Sequence, residues 1–215
     1  LDIISKQKGK VLVGCFASNL ARIKSIIHAA NKNDREVALV GRSLWRIVNV
    51  ARETKYLNED IKFYEADEVS YLPDKNILYI CTGSQGEPRA ALSRISEKNH
   101  PHISLNKNDT VIFSSRVIPG NEKSIFSLYS KLSKLGANLI TSKDAKVHVS
   151  GHPAQEEIRA MYDLIKPNIA IPVHGEPKHL VAHSMLSQAS QVPITKILEN
   201  GKCLKLAPEE PKFNG

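Results

Sequence analysis

The sequence has few cysteines and no long apolar run. Its three cysteines, Cys15, Cys81 and Cys203, are odd in number and far apart, and each stands in an apolar, strand-like stretch. This spacing argues against a disulfide framework and favours buried thiols, so we expect a cytoplasmic protein. No stretch approaches the ~20 apolar residues of a membrane span, and the first residues lack the order of a signal peptide. We therefore expect no contact with a membrane.

Two common phosphate-binding motifs are missing as well. Neither the P-loop pattern nor Gly-x-Gly-x-x-Gly occurs, so the sequence does not indicate a nucleotide cofactor. What the chain does carry is positive charge, with 30 Lys and Arg against 22 Asp and Glu and a net charge of +8, spread along its length. Such a balance favours a polyanionic partner, although a soluble protein that is merely basic would have it too.

Apolar runs alternate with amphipathic segments through the first two thirds of the chain. The runs predict strands at residues 11–16, 37–40, 77–81, 110–113 and 138–140, and the 3.6-residue pattern predicts helices at 20–30, 44–53, 90–97 and 122–135. Continuous apolar runs are typical of strands buried on both faces. We therefore predict an α/β fold with a mostly parallel, doubly wound sheet.

Two similar histidine motifs follow this region. Residues 147–152 form an apolar run with His148, Ser150 and His152 at alternate positions, and residues 172–176 contain His174 beside Gly175. Each motif precedes a proline that suits the first position of a helix. If residues 147–152 form a strand, the two imidazoles and the hydroxyl share one face, and the helix N-termini favour an anion or a metal-bound anion. Each histidine alone would more often be an ordinary hydrogen-bonding or surface residue than a ligand.

Short polar loops follow the predicted strands. They contain Ser18 and Asn19 after the first strand, Ser84 after the third and Ser115 after the fourth, and such loops let backbone N–H groups and hydroxyls approach a phosphate. The loop at residues 41–43 is of the same kind but is explained equally well as an ordinary turn.

The last part of the chain carries a second histidine pair, at helical spacing. His179 and His183 stand four residues apart, which could clasp a metal, but no Glu lies between them in the metalloprotease pattern. A solvent-exposed helix face would explain both histidines without a metal. Residues 194–198 and 202–206 predict a hairpin turned at residues 199–201.

Four segments together resemble bacterial ribonuclease J, of the β-CASP branch of the metallo-β-lactamase superfamily. They are residues 81–88 (CTGSQGEP), 114–122 (SSRVIPGNE), 148–152 (HVSGH) and 172–176 (PVHGE). Residues 18–22 also resemble the first β-CASP loop, although Ala21 stands where His is common and Pro153 replaces a usual small residue.

The resemblance implies a fold, an activity and roles for residues. It implies a β-CASP domain at residues 9–143, the returning half of a metallo-β-lactamase domain at 144–207, with βαβα-ββ order, and a tail or linker from 208. The expected enzyme is a zinc-dependent, two-metal ribonuclease that acts on RNA from the 5′ end and internally, and is a homo-oligomer. His152 and His174 would be catalytic, His174 as a zinc ligand. His148, Ser150 and His152 would hold the RNA phosphate, with Ser18, Asn19, Ser84 and Ser115 assigned to phosphate as well.

The superfamily's His-x-His-x-Asp-His metal motif does not occur in this chain. We therefore expect an internal piece of a longer protein that is inactive alone, and the lack of an initial Met agrees with that expectation. Two alternatives stay open: a catalytically inactive RNA-binding relative, and a small-molecule hydrolase of the same superfamily.

Overall fold

The structure is a computed structural model that describes residues 2–214. The chain divides between Val149 and Ser150 into two compact units. We call residues up to Val149 unit 1 and residues from Ser150 unit 2. The predicted domain boundary after residue 143 remains a prediction.

Unit 1 is built on a parallel sheet of five strands. They are β1 Val11–Gly14, β2 Glu36–Val40, β3 Ile77–Cys81, β4 Thr110–Phe113 and β5 Asn138–Ile140, in the order β2-β3-β1-β4-β5. All four strand pairs are parallel. The helices are α1 Asp2–Ser5, α2 Leu20–Asn31, α3 Arg42–Glu53, α4 Ala91–Ser96 and α5 Glu122–Lys134. A short 3-10 turn at Asp74–Asn76 precedes β3.

Burial on both faces explains the continuous apolar runs. Val11 and Val13 of β1 belong to a core with α2 and α3, while Leu12 belongs to a core with α4 and α5. Neighbouring residues of a strand point to opposite faces, so each face needs its own apolar set. The predicted doubly wound α/β fold is confirmed.

Unit 2 has smaller elements. Its helices are α6 Gln155–Ile165 and α7 Pro177–Ala189, and its strands are β6 Ile169–Ala170, β7 Ile194–Thr195, β8 Cys203–Lys205 and β9 Lys212–Asn214. Strands β6 and β7 pair in parallel, and β8 and β9 pair antiparallel. No residue of α6 is buried. No helix in the described part of the chain is both long and apolar enough to cross a membrane.

Three predictions for this part of the chain were wrong. Residues 147–152 form no strand, because no strand among the described residues pairs with them through backbone hydrogen bonds. The first strand of the expected βαβα-ββ order is therefore missing, and the observed order begins with α6. Residues 194–198 and 202–206 do not pair with each other, since β7 pairs with β6 and β8 pairs with β9. Strand β9 lies in the segment that was predicted to be a tail. Pro153 precedes α6, whereas Pro177 does open α7 as predicted.

Candidate functional site

The loops after β1 and β4 meet at one edge of the sheet. These strands are adjacent, with Val11 opposite Thr110, and the Ser114 N–H donates to the Gly14 carbonyl at 2.8 Å. The chain leaves β1 toward β2 and leaves β4 toward β5, on opposite sides of this pair. In open α/β sheets such a divergence forms a crevice at the carboxyl ends of the strands, where ligands bind.

Arg22 holds this crevice together. Its Nη1 donates to Ser114 Oγ at 2.8 Å and to the Val147 carbonyl, and Ser114 Oγ donates to the same carbonyl. The first turn of α2, the end of β4 and the segment before His148 are therefore joined by hydrogen bonds. A positive charge in the first turn of a helix opposes the helix dipole, so Arg22 needs a compensating partner there.

His148 is the residue after Val147, and its side chain is half-buried. Its Nδ1 is buried and has no hydrogen-bond partner among residues 2–214. Burial lowers the pKa of His148, and the positive charges of Arg22 and Arg116 lower it further, although the Ser114 carbonyl opposes them. The imidazole therefore favours its neutral form in a positive field. An anion placed there would gain from that field and would supply the missing partner.

The other predicted phosphate residues of unit 1 differ in their surroundings. Ser18 is exposed. Asn19 Oδ1 accepts the Arg22 N–H at 3.0 Å and so caps α2, which leaves only the side-chain NH2 for a ligand. Ser84 and Ser115 are both buried, and Ser84 Oγ has no partner within the described residues. The structure gives Asn19 a structural role that the sequence did not predict.

Sequence reasoning missed three residues at this edge. Arg22 and Ser114 were not assigned to the site, and neither was Gln85. The Gln85 amide donates to the Arg116 carbonyl at 2.9 Å, and its oxygen accepts the Ile118 N–H at 3.0 Å. Gln85 thereby ties the loop after β3 to the loop after β4. Arg22 lies in the segment 18–22 that resembles the first β-CASP loop, and a cation in the first turn of α2 was a second signal for it.

In unit 2, the structure brings the two motif histidines together. The rings of His152 and His174 are stacked, with centroids 5.7 Å apart and planes 15° from parallel. His174 lies between β6 and α7 with a φ of 64°, the left-handed conformation that a non-glycine residue rarely adopts. Such backbone positions cluster at functional sites. Ser150 Oγ accepts the His152 N–H at 3.1 Å, so its hydroxyl hydrogen stays available to a ligand.

A cavity of about 430 Å³ lies beside His152. Ser150, Tyr162 and His183 are among its lining residues, and the Tyr162 hydroxyl is 2.9 Å from His183 Nε2. His179 Nδ1 instead accepts the Glu176 N–H at 3.2 Å, at the start of α7. His179 and His183 therefore have different hydrogen-bond partners, and His183 is half-buried, whereas the sequence predicted a solvated helix face for both.

The described residues do not supply a complete zinc site. Zinc in proteins takes four ligands, at least three of them from the protein in catalytic sites. His152 and His174 offer two imidazoles, and nowhere in residues 2–214 do three or more His, Cys, Asp or Glu side chains form a group that could hold a metal. These residues alone offer too few ligands to hold zinc, but imidazole is one of its usual ligands, and the exposed His174 has a ring nitrogen that could serve as one of them.

Comparison with known proteins identifies relatives that match 96–99% of the chain. Residues 8–132 match the family model described as "Ribonuclease J, beta-CASP domain", and residues 144–195 match "Zn-dependent metallo-hydrolase RNA specificity domain". Ribonuclease J of Sinorhizobium meliloti is 44% identical over 206 residues, 96% of this chain and 36% of that protein. The relative from Mycolicibacterium smegmatis is 39% identical over 99% of this chain and 39% of its own length. Ribonuclease J of Thermus thermophilus is 38% identical over 96% of this chain and 36% of its own length. The chain thus spans little more than a third of these relatives.

Proposed function

The chain belongs to the ribonuclease J family, and from this premise we propose that it forms the RNA-binding part of a zinc-dependent ribonuclease. The whole protein would hydrolyse phosphodiester bonds of RNA, from the 5′ end and internally, as a homo-oligomer with two metal ions. This chain would supply phosphate contacts and one metal ligand, and would not hydrolyse RNA by itself.

The residues divide into two roles in this proposal. Phosphate contacts come from Ser18, Asn19, Ser84, Ser115, His148, Ser150 and His152. His174 is the metal ligand, and His152, stacked on it, takes part in catalysis beside it. When bound, zinc would polarise the phosphate and activate water. The residues that complete the zinc site would come from other parts of the polypeptide.

The arrangement of Arg22, Ser114 and His148 is the observation that carries the phosphate role. A guanidinium is held in place at 2.8 Å from Ser114 Oγ, beside a buried His148 Nδ1 that lacks a partner within the described residues. A phosphate oxygen is an acceptor and carries negative charge, so it satisfies the ring nitrogen and the positive field together. The net charge of +8 extends that attraction along the chain.

The proposal is tested by RNA binding at several salt concentrations. We expect the 215-residue chain to bind a single-stranded oligoribonucleotide weakly, with log K falling linearly against log [salt] by about 0.7 per phosphate contacted. Fluorescence anisotropy of a labelled RNA measures this slope. An affinity that is insensitive to salt would contradict the phosphate role.

Hydrolysis by the full-length protein tests the enzymatic part. RNA labelled at either end should be shortened by the full-length protein with zinc and remain intact with this chain alone. Full-length protein that binds RNA with the same salt slope but never cleaves it would instead be an RNA-binding relative. Cleavage of small esters without RNA binding would indicate the small-molecule hydrolase.

A further inference from the structure

A second cleft, of about 550 Å³, opens at the carboxyl ends of β2 and β3. Arg22, Ser114 and His148 are not among its lining residues, all of which belong to unit 1. Three arginines and two histidines line it: Arg42, Arg89, Arg94, His100 and His102. Its volume is within the range of small-ligand sites, about 300–1,000 Å³.

The three arginines come from different segments and approach one space. Arg42 is the first residue of α3, Arg89 lies in the loop before α4, and Arg94 lies in α4. Among the seven ion pairs of the described residues, none involves these guanidinium groups. Arg94 donates to the Asn99 carbonyl at 3.3 Å. Like charges that share a cleft repel one another, and a bound anion removes that repulsion.

Glu65 and Asp67 also line the cleft, but the three arginines outnumber these two carboxylates, so the formal charge of its lining is positive. The pKa of His100 is lowered first by burial and then by the charge of Arg94 and the nearby His102. The His102 N–H donates to His100 Nδ1 at 3.4 Å, which leaves Nε2 of the neutral ring as a hydrogen-bond donor into its surroundings.

The backbone at Gly41 brings Arg42 to the cleft. Gly41 has a φ of 138°, and a Cβ there would lie 2.5 Å from Thr82 Cγ2. Only glycine permits this close approach between the loops after β2 and β3. No side chain caps the first turn of α3 at Gly41. Residues 41–43 were left equally open to an ordinary turn by the sequence, and the structure gives a geometric reason for the glycine among them.

Trp45 adds a polar atom without a partner. It lines the cleft, and its Nε1 is buried with no hydrogen-bond partner within residues 2–214. The cleft also combines carboxylates with arginines that form no ion pair within the described residues. Cations bind phosphate oxygens, and carboxylates accept hydrogen bonds from the N–H groups of a nucleobase.

We propose that this cleft binds one nucleotide unit, with its phosphate against Arg42, Arg89 and Arg94 and its base against Glu65 and Asp67. The nucleotide is either a free mononucleotide or one residue of an RNA strand. This site is separate from the phosphate contacts proposed above and does not depend on them.

The only tryptophan in the chain provides a local readout. The 215-residue chain is titrated with inorganic phosphate, with each of the four nucleoside 5′-monophosphates and with a single-stranded oligoribonucleotide. Trp45 emission and calorimetric heat are followed together.

We expect saturable binding of a nucleotide ligand, and Arg42→Ala and Arg94→Ala should each raise the half-saturating concentration at least tenfold. Arg46→Ala is the matched control, since Arg46 is an exposed charge on the same helix that does not line the cleft. It should change binding less than twofold.

The ligands separate the two sources of nucleotide. Saturation by a mononucleotide identifies a small-molecule site, and saturation by the oligoribonucleotide alone identifies an RNA site; both support the proposal. Inorganic phosphate that binds as tightly as any nucleotide would overturn it, because the carboxylates would then have no role. The proposal also fails if neither emission nor heat changes, or if Arg42→Ala and Arg94→Ala behave like Arg46→Ala. Circular dichroism verifies the fold of each variant, and Arg89→Gln, in a loop, repeats the test if another variant unfolds.

Discussion

Arg22 Nη1 donates to Ser114 Oγ at 2.8 Å and thereby joins the first turn of α2 to the carboxyl end of β4. The same nitrogen donates to the Val147 carbonyl, one residue before His148. A single guanidinium therefore positions both a loop of the sheet and the residue that we assign to phosphate. The geometry makes Arg22 a positioning residue as well as a source of charge.

Replacing Arg22 should affect stability and RNA binding together. We expect Arg22→Ala to lower the free energy of unfolding by about 1.5–3 kcal/mol, since hydrogen bonds from a charged donor are lost. If Arg22 also contacts a phosphate, the salt slope of RNA binding should fall by about 0.7. Chemical denaturation and fluorescence anisotropy measure the two effects. Lys24→Ala, an exposed charge on the same helix, is the control and should leave stability nearly unchanged.

Arg22→Lys separates charge from geometry. Lysine keeps the positive charge but lacks the planar group that reaches Ser114 and Val147. The salt slope should remain while stability falls. If Arg22→Lys matched the unsubstituted protein in stability, the hydrogen bonds would not have the role assigned to them.

In the full-length protein, His148→Ala and Ser150→Ala should each weaken RNA binding or slow turnover without unfolding the protein. Loss of one charge-assisted hydrogen bond corresponds to about 1.5–3 kcal/mol. Steady-state kinetics on an RNA substrate measures this loss, and Ser142→Ala, at an exposed position, is the control. Unchanged kinetics in both variants would remove the phosphate role, and unfolding of both would indicate a purely structural one.

Zinc content should depend on His174 only in the full-length protein. The dialysed 215-residue chain offers two stacked imidazoles, fewer than the three protein ligands of a catalytic zinc, so it should retain little metal. Full-length protein should retain zinc, and His174→Ala should reduce zinc content and activity together. Elemental analysis gives the stoichiometry, with His28→Ala, an exposed histidine of α2, as the control. Firmly held, stoichiometric zinc in the short chain that depends on His174 would contradict this account.

Acid should destabilise unit 1 through His148. Its pKa in the folded state is lowered, first by burial, from the ordinary value of about 6.5. Above pH ~6.5 both the folded and unfolded states are neutral at this residue, which then contributes no pH dependence. As the pH falls below ~6.5 the unfolded state binds the proton first, so the free energy of unfolding decreases until the lower folded pKa is passed. Denaturation between pH 7.5 and 5 should show this decrease.

His148→Gln should make that decrease smaller, because glutamine does not titrate. His100, whose pKa is also lowered, first by burial, contributes in the same direction and remains in the variant. A pH profile identical in both proteins would show that His148 has the same pKa in the folded and unfolded states.

Much of the sheet could be predicted from local sequence. The bounds of β3, β4 and β5 agree with the predicted ones, and α2 buries Ile23, Ile26 and Ile27 on the expected stripe. These elements follow from short-range periodicity, since a strand buried on both faces needs a continuous apolar run and a packed helix needs one apolar side. The two short strands β8 and β9 lack so long a pattern, and their pairing was missed.

The candidate site shows the same division. Local sequence was sufficient to predict the alternating elements of unit 1, the positive charge and the two histidine motifs. The packing of distant segments was needed to show that Arg22 contacts Ser114, 92 residues away, and that residues 147–152 lie outside any sheet. It was needed as well to show that His174 has a left-handed backbone and stacks on His152. Local periodicity depends on neighbours in the chain, whereas these contacts depend on which distant segments the packed sheet brings to one edge.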